Sequence, residues 1–302
     1  MKRLAVGLLV LLFGVAAQAQ EYRLRVMSPA RQLLREQRFE EALEGLEQAA
    51  AQAQDAEDQA YYLGEAIAIA RHRLQDPERA LALALRIRDP AHSKDRQMAL
   101  LAADNRWEAM LERFGDTDLA AWPDTCRQHA FLTRARAWLQ RKDVDRAEQD
   151  LIQAIAAPGH FSVRGRACQM LGSLTQTERK DPSQALVYYE QALALTDASY
   201  AWRNESFLSR VAILLDQGRF DEAEQAFDAI QFRGLPSDHW RSRFYHAYAT
   251  VLQRQGKAGS AATQLTQALR LSGLSEGARQ QIQTRIDRLV DDLWEQQTAT
   301  PE

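Results

Sequence analysis

Six short turn-to-helix segments recur along this chain, and one alanine in each serves as a ruler: Ala42, Ala80, Ala147, Ala185, Ala223 and Ala261. The first gap is 38 residues, and the last three gaps are 38 as well. A fixed period of this size marks a repeat architecture, which grows by adding units along one axis instead of enlarging a single core. The remaining interval of 67 residues needs one extra, shorter unit. Arg106-Trp107-Glu108-Ala109-Met110 supplies it, with Met110 at the alanine position and Phe114 one turn later. Choosing Ala109 instead would restore a gap of 38 but would put Arg113 at an apolar site, so Met110 is the better register.

Each unit repeats one physical pattern. Four residues after the ruler stands Leu46, Ala84, Leu151, Tyr189, Phe227 or Leu265, and seven after it Ala49, Ile87, Ala154, Ala192, Ile230 or Ala268. That spacing draws an apolar stripe along one helix face. Twelve before the ruler stands Ala30, Ala68, Ala135, Ser173, Val211 or Ala249, mostly small. A second helix therefore precedes each turn, with small side chains letting the two axes approach. Boundaries such as Asp76-Pro77 and Asp181-Pro182 supply stop and start signals. Alternating turn-bounded strands are missing, so the expected class is all-α.

Segments such as Gly218-Arg219-Phe220-Asp221-Glu222-Ala223 and Gln184-Ala185-Leu186-Val187-Tyr188-Tyr189-Glu190-Gln191-Ala192-Leu193 resemble the second half of tetratricopeptide repeats. Leu63-Gly64 and Leu171-Gly172 resemble the Leu-Gly pair of the first helix, and the Leu63 to Asp76 spacing is similar to that of the related Sel1-like repeats. The resemblance covers roughly residues 22–272. It departs from the family in period, which is usually 34. Four extra residues are close to one turn of 3.6, so each hairpin lengthens without rotating its apolar face.

The resemblance implies a right-handed superhelical solenoid of about seven helical hairpins, ending in a capping helix. It also implies a groove lined by variable positions of each first helix. Mapped by the rulers, these are His129, Arg136 and Gln140 in the fourth unit, Met170 and Leu174 in the fifth, and Arg243, His246, Thr250 and Arg254 in the seventh. Such surfaces bind extended peptides or partner helices, and arginine suits carboxylates. Trp240, at the start of its helix, is the candidate aromatic anchor, whereas Tyr245 and Tyr248 are expected to pack between neighbouring hairpins.

Four segments follow. Residues 1–19 read as a signal peptide, 20–115 as three repeats, 116–274 as four more, and 275–302 as a capping helix and tail. The unit around residues 93–115 is the shortest, and a local break is expected after it. Ile282, Ile286, Leu289, Val290 and Leu293 give the last helix an apolar side that covers the final repeat.

Met1-Lys2-Arg3, an uncharged run from Leu4 to Ala16 and Ala17-Gln18-Ala19 have the layout of a secretory signal. The apolar run of about 13 residues is shorter than the roughly 20 that span a bilayer, so no membrane span is expected in the mature chain. Export to the periplasm follows, with a mature start near Gln20. Loss of Lys2 and Arg3 takes the formal charge from −3 to −5, which gives no reason to expect nucleic acid. Two cysteines, Cys126 and Cys168, can form one bridge in an oxidising compartment or serve as two buried apolar side chains.

No glycine-rich phosphate loop, nucleophile elbow, His-Glu-x-x-His or Cys-x-x-Cys occurs. Neither an enzyme nor a cofactor nor a metal is therefore expected. The reading is an interaction scaffold of the bacterial cell envelope that binds a protein or peptide. A glycan-binding role in polysaccharide export or cell-wall assembly is the alternative. The sequence sets neither the partner nor the oligomeric state.

Overall fold

In a computed structural model, residues 27–195 and 200–298 are described. The signal layout of residues 1–19 lies outside them. The described residues form helices and short 3-10 turns, with no strand among them. Residues 27–35 are helical (α1) and are followed by α2 (Phe39–Gln52). Then come α3 (Ala56–His72) and α4 (Pro77–Leu85), α5 (Pro90–Ala103) and α6 (Trp107–Phe114), and α7 (Asp124–Gln140) and α8 (Val144–Ala156). Three further hairpins are α9 (Phe161–Thr177) with α10 (Pro182–Ala194), α11 (Ala201–Asp216) with α12 (Phe220–Asp228), and α13 (Asp238–Arg254) with α14 (Ala258–Leu269). A last helix, α15 (Glu276–Thr298), covers the seventh hairpin. The chain groups into two compact units, Met1–Asp150 and Leu151–Glu302, with the division inside α8.

The ruler positions are the points of closest packing. Ala42, Ala80, Met110, Ala147, Ala185, Ala223 and Ala261 are all fully buried. Ala109, by contrast, is only half-buried, so the Met110 register holds. A backbone feature confirms it independently. The residue five before each ruler has a left-handed φ: Gln37, Gln75, Asn105, Lys142, Lys180, Gly218 and Gly256. The next residue then donates its N–H back to the end of the first helix, as in Arg38 to Leu33 at 2.9 Å and Lys257 to Leu252 at 2.8 Å. This is the Schellman closure that satisfies otherwise orphaned carbonyls. Aspartates begin the second helices where proline follows: Asp76 accepts from the Arg79 N–H and Asp181 from the Gln184 N–H, both at 2.9 Å.

The second and fifth hairpins differ from the rest, and the difference moves side chains. In the five other hairpins the closing N–H reaches a carbonyl five residues back. Asp76 instead reaches Ala70 and Asp181 reaches Thr175, six residues back. The Asp-Pro turns thus contain one extra residue, and α3 and α9 sit one position out of step. Ala68 is exposed and Ser173 half-buried, although both were expected at the close contact. Ile67 and Gly172 occupy that contact instead. A Cβ on Gly172 would lie 2.8 Å from the Tyr189 ring, so glycine there is a requirement of close approach.

The segment after α6 is held by one arginine. Arg134 of α7 makes a bidentate ion pair with Asp150 at 2.7 and 2.8 Å. Its remaining nitrogen donates to the carbonyls of Phe114, Gly115 and Thr117. Both side chains are nearly sealed from water, at 11% and 7% exposure. No helix among the described residues is long and apolar enough to cross a membrane.

Candidate functional site

The expected groove residues stand on first helices, which like the second helices bury one face and expose another. In the second unit these helices are α9, α11 and α13, with α11 packing on both α9 and α13 and the capping helix α15 following α14. Equivalent residues of α11 and α13 stand 38 apart, and the structure joins one such pair. Arg243 grips Glu205 with two bonds of 2.7 and 2.9 Å. Arg243 also stacks over Trp240 at 4.6 Å. The Glu205 carboxyl is held below its ordinary range, chiefly by the hydrogen bonds from Arg243 and further by the charges of Arg243, Arg166 and His239. A cation, an anion and a cation therefore alternate along α9, α11 and α13.

The next part of the face lies between α13 and α15. The Thr250 hydroxyl donates to the His246 carbonyl at 2.9 Å, so its oxygen is left to accept. Arg285 fills that role, donating to Thr250 and to Gln253 at 3.0 Å each. Both of those partners are neutral. Arg285 is half-buried and makes no ion pair with a carboxylate among the described residues. Burial alone lowers its pKa. His246 is likewise held below the ordinary histidine value of 6.5, first by burial and then by the charge of Arg285. The imidazole is therefore mainly neutral at neutral pH, beside the charged Arg285.

The expected groove residues divide between the two units. In the second, Arg243, His246 and Thr250 lie on this face, and Arg254 is exposed at the end of α13. Met170 is half-buried and Leu174 is 3% exposed. Leu174 packs inside the fifth hairpin and lines no groove, because the extra turn residue rotates α9 by one position. Arg166, Gln169 and Ser173 stand at the equivalent places. In the first unit, His129 meets Asp95 at 3.2 Å, Arg136 lies 5.3 Å over the Trp107 ring and Gln140 is exposed. Glu205 and Arg285 were missed. The 38-residue step from Arg243 would have found Glu205, but a capping helix has no ruler from which Arg285 could be placed.

Trp240 is half-buried under Arg243, while Tyr245 stacks on Phe232 and Tyr248 on Phe227, each at 4.6 Å. The two tyrosines thus pack between neighbouring elements, as their spacing predicts. Cys126 and Cys168 are free, buried thiols, and burial raises both, Cys168 to about 11.

Each unit is a run of paired helices closed by turns with one left-handed residue, an arrangement that has the tetratricopeptide-like fold. No family model matches it, and no curated protein matches it in sequence. Among solved structures it is similar to pilF of Pseudomonas aeruginosa, with 20% identity over 76% of this chain and 97% of that one, at a TM-score of 0.50. It is also similar to a tetratricopeptide repeat protein from Parabacteroides merdae, with 14% identity over 89% of this chain and 99% of that one, at a TM-score of 0.46. The likeness to pilF is one of fold.

Proposed function

We propose that this chain is a non-catalytic scaffold of the bacterial cell envelope, exported by a cleaved leader, which binds an acidic segment of a partner protein. The binding face is the row of side chains on the first helices α11 and α13 and on the capping helix α15. The observation that carries this reading is Arg285, a half-buried guanidinium that, among the described residues, donates to the neutral Thr250 and Gln253 and pairs with no carboxylate. A planar fork with donors to spare and no carboxylate of its own is suited to accept one from outside. Arg243, already paired with Glu205, stiffens the neighbouring row rather than competing for the ligand. A basic start, a short apolar run and Ala17-Gln18-Ala19 support export.

In-cell cross-linking of the tagged chain, followed by mass spectrometry, tests this. A parallel sample carries Arg243→Ala, Arg254→Ala and Arg285→Ala together. One specific protein should be captured by the wild type and lost from the triple variant. Capture of glycan alone, or an unchanged protein profile in the variant, contradicts the reading. The same samples, fractionated, should place a chain starting near Gln20 in the periplasm. A full-length cytosolic chain would contradict export.

A further inference from the structure

Arg285 does not stand alone on the capping side of the second unit, because a titratable ring belongs to the same row. His246, Thr250 and Gln253 follow one another at i, i+4 and i+7 along α13 and so share one face. Arg285 reaches from α15 onto two of the three, donating to the Thr250 hydroxyl and to the Gln253 side-chain oxygen at 3.0 Å each. Thr250 in turn donates to the His246 carbonyl at 2.9 Å. The guanidinium is thereby fixed to the helix face that carries the half-buried imidazole.

The other charges on elements around α13 are engaged elsewhere or exposed. Helix α14 carries no charged side chain. On α11, Glu205 is gripped by Arg243 and Arg210 meets Glu190. On α12, Glu224 is held by Lys257, and Glu224 and Asp228 act on Tyr248. Arg233, in the 3-10 turn Phe232–Gly234, is exposed, and on α15 Arg279 donates to the Leu269 and Leu271 carbonyls. Among the described residues, the charge that acts on His246 is that of Arg285, and it disfavours a proton on the ring.

While Arg285 lacks a carboxylate, a proton on His246 places a second cation beside the first. A carboxylate brought to Arg285 offsets that charge and adds a negative one, so protonation of the same ring becomes favourable. Binding and protonation then help each other to the same extent, since coupling between two sites is reciprocal.

We infer that the binding face is proton-linked: a partner carboxylate captured at Arg285 draws a proton onto His246, and capture tightens as the pH falls through the histidine range. This rests on the reading of Arg285 as the acceptor of an acidic segment. Carboxylates ordinarily titrate at about 4, so the ligand stays ionised throughout that range. The test uses the full chain with isotope-labelled histidine and, as probe, an N-acetylated and amidated oligoglutamate peptide. The magnetic-resonance titration of His246 should move to higher pH when the peptide is added to saturation. It should also move to higher pH in Arg285→Gln without peptide, where the repelling charge is gone. An unmoved midpoint in Arg285→Gln overturns the coupling. Calorimetry should find the peptide several-fold tighter at about pH 5.5 than at about pH 7.5, with that ratio falling to near one in His246→Asn. Equal affinity at both pH values in the wild type overturns the proton linkage and leaves capture at Arg285 standing. A pH dependence that survives His246→Asn belongs to other groups and overturns the inference as well. Peptide binding that is absent, or unchanged in Arg285→Gln, overturns the capture reading itself and the linkage with it.

Discussion

Single residues set the terms of this fold, beginning with the seven left-handed turn positions. Only Gly218 and Gly256 adopt that conformation without steric cost, whereas Lys142 and Lys180 hold it against their own Cβ. Lys142→Gly should therefore stabilise the chain by up to about 1 kcal/mol, and Gly256→Ala should destabilise it by about the same amount. Urea unfolding of the two variants checks both signs. Arg134 is a stronger case, because it neutralises the buried Asp150 and caps three carbonyls at once. Arg134→Met leaves that carboxylate alone and should cost about 3–5 kcal/mol, whereas a surface substitution such as Arg288→Met should cost little. A drop under about 1 kcal/mol would show that the pair does not hold the segment after α6. His246 makes a prediction about pH. Its folded pKa is depressed below 6.5, so the unfolded chain takes up a proton more readily than the folded one. The stability that neutral His246 contributes is complete above about pH 6.5 and declines as the pH falls through that value. His246→Asn should flatten this part of the stability curve, and an unchanged slope would contradict the burial assigned to the ring.

At the level of elements, each helix pair is specified by its ruler stripe. Ala185 is fully buried where α10 meets α9, so Ala185→Trp should overfill the contact and destabilise by roughly 1–3 kcal/mol or more. An unchanged unfolding midpoint would refute the register of the fifth hairpin. Much of this was legible in the sequence. The alanine period predicts six hairpins, the apolar site that Phe114 fills and Arg113 cannot selects Met110 over Ala109 for the seventh, and the apolar side of the last helix gives the cap, because close packing leaves a periodic trace in residue size. The errors have one source. Asp-Pro begins a helix in any chain, but nothing in those two residues reveals that the preceding turn holds one more residue than its neighbours. That single insertion carried Leu174 from the expected groove into the core and put Arg166, Gln169 and Ser173 in its row.

Across the molecule, two units are built of the same hairpin, and the second presents a row of side chains that ends at Arg285 of the capping helix. The net charge is −3, so this basic feature is local rather than a property of the chain. Binding through Arg285 to an acidic segment should weaken as salt rises, because a partly exposed charge pair is screened within about 10 Å at 0.1 M. The face itself can be tested without knowing the partner. Ala212 is exposed on α11, at the place that Thr250 occupies on α13, whereas Gln225 is exposed on α12, a second helix. A photo-crosslinking residue at Ala212 should yield a covalent adduct with one protein in cells, and the same residue at Gln225 should yield none. Adducts from Gln225 alone, or from neither position, would contradict a partner held on the first-helix face.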